Sequence, residues 1–122
     1  MTERISDADA FKNSFPGGEE DIAKEVWSSI KYAQLLRGRF ELGEKTIAKS
    51  AWASVWYAKV LGGRFEAGEE AIAKDALASI EYTKIIGGRF ELGERAISEN
   101  IWDSLRYAKI IGELFERREK EI

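Results

Sequence analysis

The chain contains no cysteine and no histidine among its 122 residues. The first absence excludes disulfides, thiolate metal sites and cysteine nucleophiles, and the second removes the commonest general base and transition-metal ligand. No apolar run approaches the length of a membrane span, and the polar N-terminus MTERISDADA lacks the apolar core of a secretory signal. We therefore expect a cytoplasmic protein with no membrane segment and no cofactor.

The composition is typical of one soluble helical domain. Apolar residues make up 44% and charged residues 34% of the chain, and the net charge is −3 with both signs interspersed. This chain is too apolar to be disordered. Its charge does not suit a generic polyanion binder, and it is too mild for a nucleic-acid mimic.

The string GGRFELGE recurs along the chain. It reads RGRFELGE from Arg37, GGRFEAGE from Gly62, GGRFELGE from Gly87 and, in degenerate form, GELFERRE from Gly112. The phenylalanines of this string define a period of 25 residues: Phe15, Phe40, Phe65, Phe90 and Phe115. This period divides the chain into an N-terminal cap and one repeat domain of four repeats and a partial fifth. The ranges are 1–14 for the cap, 15–122 for the domain, 15–39, 40–64, 65–89 and 90–114 for the repeats, and 115–122 for the partial repeat.

Other positions of the repeat are constant within the chain, in four columns. They are the glutamates Glu19, Glu44, Glu69, Glu94 and Glu119; the isoleucines Ile22, Ile47, Ile72, Ile97 and Ile122; the serines Ser29, Ser54, Ser79 and Ser104; and the tyrosines Tyr32, Tyr57, Tyr82 and Tyr107. In the second repeat, Ala51, Val55, Ala58 and Leu61 form an apolar stripe at helical spacing. Two glycines come after Leu61 and should end the helix, because glycine readily adopts the left-handed conformation.

One column decides how many helices a repeat contains. It holds Glu25, Ser50, Asp75 and Asn100. Ser, Asp and Asn are leading N-cap residues, so we predict a short helix A (41–49) and a longer helix B (Ala51–Leu61) in the second repeat. Pro16 fits the start of the first helix A. The alternative is one unbroken helix over 43–61, which would give an up-and-down four-helix bundle.

With two helices per repeat, GGRFELGE is the corner between helix B of one repeat and helix A of the next. The glycines end helix B, the phenylalanine fills the corner, and the glutamate lies in the first turn of helix A, where the helix dipole favours it. The string therefore serves architecture and not chemistry.

The run YAKVLGGRFEAGEEAIA (57–73) resembles the corner of tetratricopeptide and Sel1-like repeats, which have longer periods. A closer resemblance is to repeats of about this length in uncharacterised phage and bacterial proteins, of the form EPVI..D...A..YA..V..GRW.EAE. The matching residues are Glu44, Ile47, Asp75, Tyr57-Ala58 and Gly63-Arg64-Phe65. The resemblance covers 15–122 and implies an α-solenoid of phage origin, without any assigned chemistry. In those repeats a proline often follows the capping aspartate, whereas this chain has Ala51, Ala76 and Ile101 there.

Two sets of residues are candidates for chemistry. Carboxylate pairs one helical turn apart could hold a hard cation or share a proton, but we interpret them as first-turn acids of helix A. The pairs are Glu41 and Glu44, Glu66 and Glu69, Glu91 and Glu94, and Glu116 and Glu119. The serine column has no base beside it, so we interpret it as small residues that let helices approach closely. No catalytic or metal-binding residue is predicted, and the protein is not expected to be an enzyme.

Corner arginines could form an edge that binds phosphates of a nucleic acid. They are Arg37, Arg39, Arg64 and Arg89. Glutamates lie two residues after the last three of them, at Glu41, Glu66 and Glu91, and should neutralise the edge. We therefore expect ion pairs here.

The tryptophans are the strongest candidates for binding. Trp27, Trp52 and Trp102 share a column with Leu77, which we interpret as core between repeats. Trp56 lies in a column otherwise held by charged residues, namely Lys31, Glu81 and Arg106. That column should face solvent, and an exposed tryptophan is typical of a binding hot spot; the alternative is local packing on Trp52.

Together these patterns predict an all-α, right-handed solenoid of four two-helix repeats that binds another protein without catalysis, as an inhibitor or adaptor. The predicted partner-binding residues are Lys31, Trp52, Trp56, Glu81 and Arg106. Nucleic-acid binding along the arginine edge is the first alternative. A structural, self-associating or designed array is the second.

Overall fold

A computed structural model describes residues 5–120, and this part of the chain is all-α, with no strand. Its helices are α1 (Asp7–Asn13), α2 (Glu19–Ala23), α3 (Val26–Leu36), α4 (Glu41–Ile47), α5 (Ala51–Leu61), α6 (Glu69–Ile72), α7 (Ala76–Ile86), α8 (Glu94–Ser98) and α9 (Ile101–Lys120). Short 3₁₀ turns (Glu66–Gly68 and Glu91–Gly93) precede α6 and α8. Helices A of the repeats are α2, α4, α6 and α8, and helices B are α3, α5, α7 and α9.

The prediction of two helices per repeat is confirmed. The Ser50 Oγ accepts a hydrogen bond from the Ala53 N–H at 3.2 Å, and the Asp75 Oδ1 accepts one from the Ala78 N–H at 2.9 Å. Asn100 caps α9 in the same way. Because Ser50 has an extended backbone, the chain leaves the helix before α5 begins, and the unbroken helix over 43–61 does not form.

The first repeat departs from the others and from our expectations. Pro16 lies in a turn before α2 and not at its start, since α2 begins only at Glu19. Gly18, with φ of 63°, occupies the N-cap position of α2. Residues 1–4 of the predicted N-terminal cap lie outside the described residues, and α1 packs on α3.

The first three B helices end in the left-handed conformation, as expected. Gly62 and Gly87 have φ of 74° and 70°, and Arg37 takes the same role with φ of 59°. The fourth does not: α9 runs through Gly112 to Lys120, so GELFERRE is part of a helix and not a corner. The expectation of a corner at Phe115 is therefore wrong, and Ile122 lies outside the described residues.

Close contact between a glycine and a serine joins successive repeats. The B helices α3, α5 and α7 each pack on the next B helix and on the A helix that comes after them. A Cβ added at Gly43 would lie 2.6 Å from the Ser29 Oγ, so only glycine fits there. The Ser29 Oγ also donates a hydrogen bond to the Ile22 carbonyl at 2.9 Å, which fastens α2 to α3. The interpretation of the serine column as a close-approach site is confirmed for Ser29, Ser54 and Ser79, whereas Ser104 faces an open groove.

The core lies between the A and B helices and runs from repeat to repeat. Its largest fully buried side chains include the isoleucines of the A helices, two tyrosines of the B helices and two corner phenylalanines. These are Ile22, Ile47, Ile72, Ile97, Tyr57, Tyr82, Phe65 and Phe90. The prediction that the corner phenylalanines are core residues is confirmed for Phe40, Phe65 and Phe90, but Phe15 is only partly buried and Phe115 is exposed.

Candidate protein-binding surface

A hydrogen-bonded cluster holds together each of the corners at Phe40, Phe65 and Phe90, which we call the inner corners. In the second repeat the Tyr57 hydroxyl accepts the Phe40 N–H at 2.8 Å and donates to Glu44 Oε2 at 2.6 Å. Arg39 donates two hydrogen bonds to the same carboxylate, at 2.8 and 2.9 Å. The third repeat repeats the cluster with Tyr82, the Phe65 N–H and Glu69. The tyrosine and glutamate columns thus act together, because their hydrogen bonds join the start of helix A to helix B.

The charges of this cluster are set by its packing. Burial raises the pKa of Tyr57, and its hydrogen bond to Glu44 raises it further. Burial also works to raise the pKa of Glu44, but the hydrogen bonds from Arg39 and Tyr57 outweigh it, and the net pKa is lowered. A neutral tyrosine, an ionised glutamate and a charged arginine therefore coexist at neutral pH. In this arrangement the hydroxyl and the carboxylate hold each other in place and join helix A to helix B.

The arginine edge is paired as expected, but with different glutamates. Arg39 and Arg89 contact Glu44 and Glu94 at 2.8 and 2.7 Å, and Arg64 contacts Glu69 at 3.5 Å. Each glutamate partner lies five residues after its arginine in the sequence. The chain turns at the corner and so brings the second glutamate of each carboxylate pair back to the arginine. The expectation that Glu41, Glu66 and Glu91 would be the partners is wrong. Arg37 is exposed at the end of α3.

The tryptophan column is on the surface and not in the core, which corrects our interpretation. Trp27 is 54% exposed, Trp52 39% and Trp102 69%, and Leu77 in the third repeat is exposed as well. Each is the second residue of a B helix. We call these four residues the tryptophan row. The inter-repeat core instead uses the third, fourth and fifth residues of α5, namely Ala53, Ser54 and Val55.

The predicted binding column lies one helical turn beyond the tryptophan row. Lys31, Trp56 and Arg106 are exposed, and Glu81 is half-buried beside Lys84, which it contacts at 3.0 Å. Trp56 carries the Lys59 ammonium 4.5 Å from its ring centroid, a cation–π contact. The exposed indole therefore packs on a neighbouring lysine of its own helix.

The predicted residues fall into two depressions of the B-helix surface. Trp52, Glu81 and Arg106 line a groove of about 570 Å³ that crosses α5, α7 and α9. Trp56 lies instead in a separate hollow with Arg37. The structure thus brings three of the five predicted residues together and leaves Trp56 and Lys31 outside that groove.

The exposure of the tryptophan row differs from our prediction, but the spacing of three columns of the repeat indicates it. The row, the charged column and a column of polar residues (Gln34, Lys59, Lys84, Lys109) are spaced i, i+4, i+7 along each B helix. Residues at that spacing share one helix face. Because two of the three columns are polar, the face they share with the tryptophans is expected to be the solvated one.

Neither a protein-family model, nor a curated protein, nor a solved structure matches this chain. Along residues 5–120, every helix is too short or too polar to cross a bilayer. In the same residues, no three or more Asp or Glu side chains are grouped to hold a metal ion.

Proposed function

We propose that this chain is a non-catalytic repeat module that binds another protein through its B-helix face. One observation carries the proposal: the tryptophan row exposes large apolar side chains at the same position of successive repeats. Exposed apolar side chains gathered on one face, ringed by charges, are characteristic of interaction sites. Tryptophan is also among the residues most enriched in binding hot spots.

We infer further that the repeats are stacked as an α-solenoid. In support, contacts lead from α3 to α5, from α5 to α7 and from α7 to α9, in the order of the chain. An up-and-down bundle would instead surround one shared core with its four helices. In a stack, residues at the same repeat position line up along one surface, which is how a 25-residue period produces a row.

The charges beside the row indicate what kind of partner it fits. The groove through Trp52 and Leu77 is lined by three basic residues, Lys84, Arg106 and Lys109, and by two acidic ones, Glu81 and Glu113. A partner surface with an apolar ridge and charges of both signs beside it would complement this groove. We propose that such a partner is a folded protein that this chain inhibits or recruits, as the resemblance to short phage and bacterial repeats suggests.

The test compares two substitutions of exposed apolar residues on different faces. Trp52→Lys should lower the melting temperature, because the ring is only 39% exposed, but leave the chain folded at the assay temperature, and it should weaken binding of the partner by about 2 kcal/mol or more. Leu92→Lys is the matched control, because Leu92 is also apolar and exposed but lies at a corner between α7 and α8. A protein captured from a cell lysate counts as the partner only if Trp52→Lys loses it and Leu92→Lys retains it. Equal capture by both variants would refute this surface.

The Trp56→Lys variant tests whether the hollow around Trp56 belongs to the binding surface together with the groove at Trp52. The first repeat carries Lys31 at the same position, so this change is expected to preserve the fold and the melting temperature. If the hollow around Trp56 belongs to the binding surface, partner affinity should fall by about 2 kcal/mol. If affinity is unchanged while Trp52→Lys abolishes it, the surface is confined to the tryptophan row and its groove.

Nucleic-acid binding along the arginine edge predicts a different outcome. A mixed oligonucleotide should then bind with an affinity that falls steeply as salt rises, and Arg39→Ala should weaken it. We expect no such binding, because Arg39 and Arg89 are already paired with glutamates.

A further inference from the structure

The last repeat leaves open a groove that is filled in the repeats before it. This terminal groove has a volume of about 610 Å³ and lies between α8 and α9. Its lining includes Ile97, Ser104, Tyr107, Ala108, Ile111 and Phe115. Each residue turns an α-helix by roughly 100°, so the lining residues that belong to α9 lie on about the opposite side of that helix from Trp102. The terminal groove is therefore a different surface from the tryptophan row.

The inner repeats show what fits a groove of this shape. In the second repeat, the ring of Phe65 meets Tyr57 edge-on at 4.7 Å, and Gly68 lies directly against Ser54. Ile72, one turn further along, is completely buried. These three residues come from the next helix A and the corner before it, in the pattern Phe-x-x-Gly-x-x-x-Ile.

The same arrangement recurs one repeat later. Phe90 meets Tyr82 at 4.8 Å, and Gly93 lies so close to Ser79 that an added Cβ would be 2.6 Å from the serine Cβ. Ser104 and Tyr107 stand at the corresponding positions of the terminal groove. The groove therefore has the features of a site that receives a helix A.

The chain's own C-terminal segment is unsuited to fill it. Arg118 stands where Gly68 and Gly93 stand in the inner repeats, and no Cβ fits against the serine at that place. Leu114 replaces the corner arginine. Instead, α9 continues, and Arg118 donates a hydrogen bond to the Gly87 carbonyl at 2.8 Å.

A second copy of the chain is also a poor donor. Its α4, α6 and α8 are packed inside its own repeats. The remaining Phe-x-x-Gly pattern starts at Phe15, whose ring already packs on Phe11 of α1 at 5.1 Å. The glycine of that pattern, Gly18, has φ of 63° and so is not in a helix.

We propose that the terminal groove binds a helix of another protein that carries the pattern aromatic-x-x-Gly-x-x-x-aliphatic. The aromatic ring meets Tyr107, the glycine lies on Ser104, and the aliphatic side chain covers the exposed apolar lining of the groove, which includes Ala108. The three filled grooves of the same chain define this chemistry. Recognition is by apolar contact and close helix packing, with the glycine as the strictest requirement.

The probe for this site is a synthetic peptide with the sequence of residues 87–98, GGRFELGERAIS, carrying a fluorescent label. Binding to the whole chain is measured by fluorescence anisotropy. We expect saturable binding, and at least about tenfold weaker binding when the peptide carries Gly93→Leu or Phe90→Ala. The Gly93→Leu peptide is the sharper control, because leucine favours the helix. If affinity merely depended on helix content, that peptide would bind more tightly.

Two protein variants locate the peptide. Ala108→Arg places a long side chain in the terminal groove and should abolish binding, whereas Leu105→Arg, at an exposed residue of α9 outside the groove, should retain it. Both sites are exposed, so both variants should fold. Binding that survives Ala108→Arg, binding indifferent to Gly93, or no saturable binding would overturn the proposal. So would a dimer of the unsubstituted chain that Ala108→Arg converts to a monomer, because the groove would then be occupied by a second copy.

Discussion

Phe65 and Phe115 occupy the same position of the repeat, yet one is core and the other is surface. Phe65 is 1% exposed and packs edge-on against Tyr57, whereas Phe115 is 62% exposed on α9. Each has a glycine three residues before it, Gly62 and Gly112, and only Gly62 takes the left-handed conformation. A glycine in that place is therefore insufficient to end a helix.

The difference lies in the residues that flank the phenylalanine. Gly68 lets helix A approach Ser54, and Arg64 pairs with Glu69, so the inner corner is held from both sides. Near Phe115 the matching positions are Arg118 and Leu114, which provide neither contact. A corner therefore forms where tertiary contacts outweigh the tendency of a helix to continue.

The largest expected effect comes from truncating Phe65, and truncation of Phe115 serves as its comparison. Phe65→Ala should lower the free energy of unfolding by about 3 kcal/mol or more, because it leaves a cavity in the core. Phe115→Ala should change it by less than about 1 kcal/mol, since the ring is exposed and alanine favours helix. Chemical denaturation of both variants checks this. Equal losses would mean that Phe115 is packed as in a corner.

The next effect concerns the glycine that faces the serine. Gly68→Ala should cost about 1–3 kcal/mol, because its Cβ would overlap the side chain of Ser54 and force α5 and α6 apart. Gly63→Ala is the control: a Cβ there meets open space, and the backbone φ is not positive. That change should be neutral or slightly stabilising. A costly Gly63→Ala together with a neutral Gly68→Ala would reverse our account of the corner.

High pH should weaken the inner corners through their tyrosines. Burial raises the pKa of Tyr57 and Tyr82 above the ordinary value of about 10, so the native state keeps protons that the unfolded state loses. Their stabilising contribution is complete below about pH 10 and declines above it, by up to about 1.4 kcal/mol per pH unit for each group. Melting curves from about pH 9 to about pH 11 should show a steeper fall for the unsubstituted chain than for Tyr57→Phe. Parallel curves would contradict this.

The N-cap of α7 should contribute about 1 kcal/mol. Asp75→Ala removes the hydrogen bond to the Ala78 N–H and should lower the free energy of unfolding by that amount. Glu25→Ala is the control, because Glu25 makes no side-chain cap hydrogen bond to α3. An increase in melting temperature for Asp75→Ala would show that this residue lies within a continuous helix.

The smallest effect is expected from the corner arginines. Arg64→Ala should cost less than about 1 kcal/mol, because exposed ion pairs contribute little. Arg39→Ala should cost slightly more than Arg64→Ala, since Arg39 makes two short hydrogen bonds to Glu44 and Arg64 makes one longer contact to Glu69. A loss for Arg64→Ala as large as that for Phe65→Ala would show that the ion pair, and not the ring, holds the corner.

Several features of the fold could be read from the sequence because their causes are local. The bounds of α5 depend on Ser50, which caps its first turn, and on Gly62, which takes the left-handed conformation at its end. The burial of Phe65 could be predicted from its constant place beside such a corner. The exposure of Trp52 could not be read from its own column, because an apolar column fits either a core or a binding face.

The sequence by itself determined the period, the alternation of short and long helices and the residues that cap them, since each depends on neighbours along the chain. Tertiary structure alone decided which glutamate pairs with Arg39, which face of α5 is covered and that no corner forms at Phe115. These outcomes depend on groups brought together by folding, such as Gly68 against Ser54. At Arg118 that contact is sterically impossible, so α9 continues and the last groove stays open.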